Sequence, residues 1–281
     1  MDGNDFLVTS DGARIYYEDR GKGIPLVLVP GFMCTTRFYD RNVPKLSEKY
    51  RVITFDSRGS GLSSKTLQGN NLKRHAQDLK ELIDFLDLDQ VVLMGWSLGA
   101  SVVCVYAELF KEYRLGGIGM IDAFISPFAH GEWNQYKFAG YKVKEYISGR
   151  SLWFTDPEKY NQYFFDTVAC PELTDEDKKW ILEEISLTMP WTGIELHLDT
   201  CHTDAIAYVE HFTVPTVVFA GNSKGIPASV SVEACRRMKC RHEYHYFDHG
   251  GHMFFYSDAD TFNRLVDEFI TNNVAADEGC R

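Results

Sequence analysis

No apolar run in this chain approaches the length needed to cross a bilayer. The first residues, Met1-Asp2-Gly3-Asn4-Asp5, are acidic where a secretory leader would be basic and then apolar. An excess of positive charge is also missing. Lys and Arg number 29 against 40 Asp and Glu, for a formal net charge of −11. That balance counts against nucleic acid and anionic membrane surfaces as partners. The 7 cysteines are odd in number and scattered, without a C-x-x-C pair. Cys235 and Cys240 lie closest, and nothing beside them makes a metal site. Reduced thiols in a cytoplasmic protein are the expectation. Internal repeats and low-complexity segments are absent too. What is present is 281 residues, 44% of them hydrophobic, enough for one large α/β domain with room for an insertion.

The N-terminal stretch reads as a hairpin, Phe6–Thr9 and Ala13–Glu18 around Ser10-Asp11-Gly12. Pro25-Leu26-Val27-Leu28-Val29 is continuously apolar, as expected of a strand buried on both faces. A helical pattern follows from Arg37 to Leu46, then a strand over Tyr50–Asp56 and a glycine-rich turn. Leu72–Leu88 is amphipathic, with Leu79, Leu82, Ile83 and Leu86 on one face. Gln90–Trp96 and Gly117–Asp122 are further buried strands, separated by a helix over Leu98–Phe110. Strands alternating with helices argue for a mostly parallel sheet.

The rhythm breaks at about residue 127 and resumes at about 199. The intervening stretch is helix-prone and unusually aromatic, with Trp133, Trp153, Tyr160, Phe164 and Trp180 among others. Beyond it come a helix over Thr200–Val209, a strand over Val214–Gly221, a helix over Ala228–Met238 and a strand over His242–Asp248. A closing helix spans Asp258–Thr271, and the tail after Asn273 is expected to fray. The division is therefore a core domain, 1–126 and 199–281, with a helical cap over 127–198 inserted after the sixth strand.

One stretch organises the rest: the strand Val91–Trp96, the turn Gly95-Trp96-Ser97-Leu98-Gly99 and a helix that starts at once. A serine on such a turn stands clear of the sheet. Glycines on either side leave room where side chains would meet the neighbouring strand and helix. The helix N-terminus favours developing negative charge.

With Asp56-Ser57-Arg58-Gly59-Ser60-Gly61-Leu62-Ser63, Gly31-Phe32 and the late Gly250-Gly251-His252, this motif makes a chain-ordered set. In it the sequence resembles the α/β-hydrolase family, over all but the cap. The resemblance implies the α/β-hydrolase fold, a mostly parallel central sheet with helices on both faces. It implies Ser97 as nucleophile, His252 as its base with His249 a local competitor, and an oxyanion hole from the backbone N–H groups of Phe32 and Leu98. Pro30-Gly31 stands where the family usually has His-Gly. The acid is not in its usual place. The loop Gly221-Asn222-Ser223-Lys224-Gly225-Ile226-Pro227 has no carboxylate, and since some family members place the acid after the strand that precedes the cap, the resemblance implies Asp122 there, with Asp204 and Asp248 as weaker candidates. Met33, Trp96, Phe124 and Trp133 are expected to line an apolar pocket.

The function expected is a serine hydrolase that cleaves an ester-type bond (carboxylic ester, thioester or lactone) of a small to medium apolar substrate, with no cofactor and no metal. Peptidase, C–C hydrolase, acyltransferase and perhydrolase chemistry share such a site. Serine rather than aspartate at the turn disfavours dehalogenase and epoxide hydrolase chemistry. The empty acid loop motivates one alternative, a ligand-binding or signalling protein on a hydrolase fold with weak or no turnover. The sequence assigns neither a particular substrate nor an oligomeric state.

Overall fold

Eight strands form one sheet: β1 (Gly3–Val8), β2 (Arg14–Gly21), β3 (Pro25–Val29), β4 (Arg51–Phe55), β5 (Val91–Trp96), β6 (Leu115–Ile121), β7 (Thr216–Gly221) and β8 (His242–Phe247). The computed structural model describes residues 3–125 and 143–275. Strand order is β1-β2-β4-β3-β5-β6-β7-β8. The β1–β2 and β2–β4 pairs are antiparallel, and every pair from β4 across to β8 is parallel. β5 is at the centre, and all six of its residues are buried, which is why its sequence runs apolar without alternation.

The helices are α1 (Val43–Leu46), α2 (Leu72–Phe85), α3 (Leu98–Phe110), α4 (Val143–Thr155), α5 (Pro157–Val168), α6 (Asp175–Ile185), α7 (Pro190–His202), α8 (Ala228–Arg237), α9 (Phe254–Ser257) and α10 (Ala259–Asn273). Their starts follow local chemistry. The Asn71 side chain accepts the Arg74 N–H at 2.9 Å to cap α2. Thr174 and Asp177 cap α6 reciprocally, and Pro157 and Pro190 open α5 and α7.

Two expected helices differ. Arg37–Leu46 is not continuous: a 3-10 turn covers Thr36–Tyr39 and α1 starts afresh at Val43. Pro44 has no N–H to give a preceding turn, so it sits at a helix start instead. Thr200–Val209 is likewise divided. α7 runs through to His202, Thr203 is extended, and a 3-10 helix covers Ala205–His211. The boundary expected after residue 198 therefore falls inside α7. The part of the expected cap over 127–142, Trp133 included, and the tail from 276 lie outside the described residues. Among the described residues no helix is long and apolar enough to cross a membrane.

The D-x-R-G-x-G-x-S turn is a brace. Buried Asp56 accepts the backbone N–H groups of Thr36 at 2.8 Å and Leu62 at 2.7 Å. A Cβ at Gly61 would lie 2.1 Å from its carboxylate, so only glycine lets the turn close. Burial pushes Asp56 up to about 6, against those two hydrogen bonds. Arg58 is buried between Asp78 and Asp11, at 2.8 Å from each. This loop fixes the start of the chain against α2 and takes no part in the cavity described below.

A pH effect arises beside it. Burial holds His75, on the inner face of α2, down at about 4 from an ordinary value of 6.5. The fold thus favours the neutral ring. Its contribution to stability is full above about 6.5 and is lost as pH falls from there toward 4. His75→Leu should remove this loss, worth on the order of 2 kcal/mol at pH 5. The Tm drop between pH 7 and pH 5 should then be smaller in the variant than in the wild type by roughly 4–8 °C. Equal drops in both proteins would show that His75 does not titrate against the fold.

Candidate active site

Ser97, Asp122 and His252 all follow the C-terminal ends of strands, β5, β6 and β8 in turn, and Phe32 follows β3. That edge of a parallel sheet is where side chains from separate chain segments converge on one crevice.

Ser97 ends β5 at φ 56°, ψ −121°, a region that side chains other than glycine rarely occupy. Neighbours hold it there. Its N–H donates to Ile121 O at 2.8 Å, and its carbonyl accepts from Ala100 N and Phe124 N, each at 3.0 Å. The flanking glycines are required. A Cβ on Gly95 would lie 2.4 Å from Gly99 O, and one on Gly99 would lie 2.5 Å from Val29 O. Both distances are impossible contacts, so the helix can start against the ends of β3 and β5 only because these side chains are missing.

His252 sits in a 3-10 turn, Gly251–Met253, after β8. It is entered through Gly250 and Gly251, at φ +74° and +53°. Trp96 Nε1–H donates to the His252 carbonyl at 3.0 Å, and the two rings lie 5.1 Å apart. The residue before the serine thus ties the histidine loop to the elbow. His252 Nδ1 lies 2.6 Å from Asp122 Oδ2. Asp122 is fully buried. Its Oδ1 accepts Gly221 N–H at 3.0 Å, and its Oδ2 also accepts the Ser223 hydroxyl. The loop that lacks a carboxylate therefore supplies donors to the carboxylate of the next strand. With Nδ1–H pointed at Asp122, Nε2 is the ring's free lone pair and can accept a proton.

The competitor His249 is elsewhere. It is exposed and lies between Asp248, at 2.7 Å, and Asp258, at 3.1 Å.

Ser97 and His252 line one cavity of about 130 Å³, with Phe32, Leu98 and Phe124. Its outer wall comes from α5 (Tyr160, Tyr163, Phe164, Thr167 and Val168), from α7 (His197) and from Gly225 and Ile226 after β7. Leu98 is the first residue of α3, so its N–H has no acceptor within the helix. The loop N–H of Phe32 has no backbone acceptor among the described residues. Gly31 holds that loop against the serine, since a Cβ there would meet Ser97 Cβ at 3.3 Å. Phe32 and Leu98 thus share the cavity with Ser97.

Of the four residues expected in the pocket wall, Phe124 lines the cavity. Met33 and Trp96 do not. Each is 1% exposed within the core. Trp96 packs beneath the site on Phe38 and Phe255, because its indole is committed to the His252 loop. Trp133 is outside the described residues. Sequence reasoning missed Ser223 and His197. A hydroxyl in the empty acid loop was the available signal for Ser223. His197 has no local motif, and only its place on α7 brings it to the cavity. Among the described residues no group of three or more His, Cys, Asp or Glu could hold a metal ion.

A family profile described as "alpha/beta hydrolase fold" matches residues 24–259. An AB hydrolase superfamily protein of Bacillus subtilis is 24% identical over 270 residues, covering 94% of this chain and 98% of its own. A putative non-heme chloroperoxidase of Synechocystis is 43% identical over 115 residues, 41% of each chain. Among solved structures, a bromoperoxidase from Bacillus anthracis superposes with TM-score 0.88 at 22% identity, covering 97% of this chain and 100% of its own. An esterase from Exiguobacterium antarcticum does so with TM-score 0.87 at 21% identity, covering 96% and 100%.

Proposed function

Because this chain belongs to the α/β-hydrolase family, we propose that it is a serine hydrolase acting on ester-type bonds of small to medium apolar substrates. One observation carries the proposal. The imidazole that shares a cavity with Ser97 is held at 2.6 Å by a buried carboxylate on its far nitrogen.

In this mechanism Ser97 Oγ attacks the acyl carbon while His252 Nε2 takes its proton. The carbonyl electrons move to oxygen, which the N–H groups of Phe32 and Leu98 receive. Asp122 stabilises the imidazolium and is not itself protonated. The intermediate collapses, the C–O bond to the alcohol breaks, and His252 returns the proton to the leaving oxygen. Water then attacks the acyl-enzyme with His252 again as base, releasing the acid and the free serine. The helices of the 127–198 insertion act as a lid, with α5 and α7 giving the cavity its aromatic wall, and that wall selects apolar acyl groups.

The binding-protein alternative drew on an acid loop without an acid. The contact between Asp122 and His252 supports the hydrolase reading over it.

Ser223 has a place in this mechanism, as a donor that orients the Asp122 carboxylate. Ser223→Ala should lower kcat/KM about 10-fold by loss of one hydrogen bond to a charged group, with KM little changed. An unchanged kcat would show that Gly221 N–H alone suffices.

The proposal is tested with a series of 4-nitrophenyl esters from acetate to laurate. Turnover with an optimum at short to medium chains, and an initial burst of nitrophenol from acyl-enzyme, is expected. A folded protein that turns over no member of the series would contradict it.

A further inference from the structure

The loop after β3 supplies the proposed mechanism with one of its two oxyanion donors, the Phe32 N–H, and its backbone is strained. Met33, the next residue, is buried at φ 61°, where side chains other than glycine rarely sit. A strained backbone persists only where its surroundings hold it. Two ties are local. Cys34 N–H donates to Gly31 O at 3.2 Å, and the Cys34 thiol, a weak donor, reaches Phe32 O at 3.2 Å.

A further hold comes from helices more than a hundred residues along the chain. The Phe32 ring lies edge-on to Trp153 of α4 at 5.9 Å and to Phe164 of α5 at 5.6 Å, and it tilts against the His197 ring of α7 at 5.0 Å. Trp153 is itself buried, with its indole stacked on Tyr160 at 4.3 Å. The indole fits because α7 has a glycine opposite it. A Cβ on Gly193 would lie 2.6 Å from Trp153 Cζ3 and 3.3 Å from Phe32 Cζ. Gly193, the indole and the Phe32 ring therefore meet at one point. α7 is a firm backing there, since Glu195 accepts from Asn70 Nδ2 at 2.9 Å and Asp199 accepts the Leu72 N–H at 2.8 Å. Neither Gly193 nor Trp153 lines the cavity that holds Ser97.

Resting on the serine-hydrolase reading, we propose that Trp153, seated in the gap left by Gly193, is a positioning residue that holds the Phe32 ring and so keeps the Phe32 N–H at the oxyanion. The cap is then part of the catalytic apparatus as well as a wall. A donor fixed in advance stabilises developing charge without reorganising, and a donor that drifts does not. Because the clasp lies outside the cavity, disturbing it acts on the reaction step more than on substrate binding.

The test uses the full-length protein, 4-nitrophenyl butyrate and two competitive inhibitors. Butylboronic acid adds to Ser97 Oγ, whose proton passes to His252, and the tetrahedral anion presents an oxygen to the two N–H groups. Butyl methyl ether only fills the cavity. Gly193→Ala, in a helix that alanine otherwise favours, should crowd the indole and lower kcat about 10-fold or more, with KM little changed. It should weaken the boronic acid by a similar factor and leave the ether within about threefold of wild type. Trp153→Phe removes the crowded ring atoms and keeps an aromatic ring beside Phe32. The double variant Gly193→Ala/Trp153→Phe should therefore recover kcat to within about threefold of wild type. If Gly193→Ala does not fold, Trp153→Leu, which removes the indole without adding a clash, decides by the same readouts and should show the same split between the two inhibitors.

A folded Gly193→Ala variant with wild-type kcat and wild-type boronic acid affinity would overturn the inference and leave the hydrolase reading standing. Equal weakening of both inhibitors, the mark of a deformed cavity, would also overturn it, as would a double variant no more active than Gly193→Ala. A wild type with neither ester turnover nor boronic acid binding would instead overturn the hydrolase reading, and this inference with it.

Discussion

Asp122→Asn should lower kcat/KM by about 10³–10⁴-fold in a protein that still folds. The reason is the proton on His252. Asp122 Oδ2 accepts from Nδ1 at 2.6 Å, and that contact leaves Nε2 without a proton, ready for Ser97. An amide can instead turn its NH2 toward the ring. The imidazole then carries its proton on Nε2, where it can neither accept from the serine nor become a stabilised imidazolium. The substitution has a structural cost as well, since the buried carboxylate also accepts from Gly221 and Ser223. Losing one acceptor there costs about 1–3 kcal/mol, which lowers Tm without unfolding a domain of this size. Thermal melts therefore separate the two effects. A folded variant with wild-type activity would remove Asp122 from the mechanism and return the acid to some other group.

Ser97→Ala should cost more, about 10⁴–10⁶-fold in kcat, because no other hydroxyl is placed at the strained turn. Residual rate above water would come from the Phe32 and Leu98 donors and from binding. The backbone makes a second result available. At φ 56° alanine keeps the strain that serine bears, whereas glycine relieves it. Ser97→Gly should therefore be as inactive as Ser97→Ala yet more stable by about 1 kcal/mol. Equal melting of the two variants would mean that the turn stores no strain. Substantial ester turnover by either would show that Ser97 is not the nucleophile.

The parts of this fold that were legible in the sequence are those in which one local rule has no competitor. Pro25–Val29 is uniformly apolar and becomes a strand with those bounds, and the strand expected over Gln90–Trp96 forms one residue shorter, over Val91–Trp96. The helix after Ser97 is announced by Gly99-Ala100 and runs over Leu98–Phe110 as expected. Asp122 came from the family resemblance, which offers the end of the strand before the cap once the Gly221–Pro227 loop is seen to be without an acid. What that loop does instead, offering the Gly221 N–H and the Ser223 hydroxyl to Asp122, depends on β6 and β7 being neighbours, and no spacing in the sequence encodes it.

The pocket was least legible. Trp96 adjoins the serine in sequence, and adjacency suggested a pocket wall. Successive residues at the end of β5 face opposite ways, and the indole goes under His252. His197 lies a hundred residues from Ser97 by count (197 minus 97) and has no motif around it. Only the return of α7 over the strand ends brings it to the cavity. Helix boundaries failed where the breaker was subtle: Pro44 acts as a start rather than a stop, and nothing between Pro190 and Val209 signals the extended residue Thr203.

The central claim is that a serine at the β5–α3 turn is activated by His252. Intact mass after exposure to a fluorophosphonate tests it most directly, because the reagent reacts with an activated hydroxyl and needs no knowledge of the substrate. Wild type should gain the mass of one phosphonyl group, Ser97→Ala should gain none, and Asp122→Asn should react far more slowly than wild type. A folded wild type that stays unmodified, or a Ser97→Ala variant that is modified as readily as wild type, would contradict the claim.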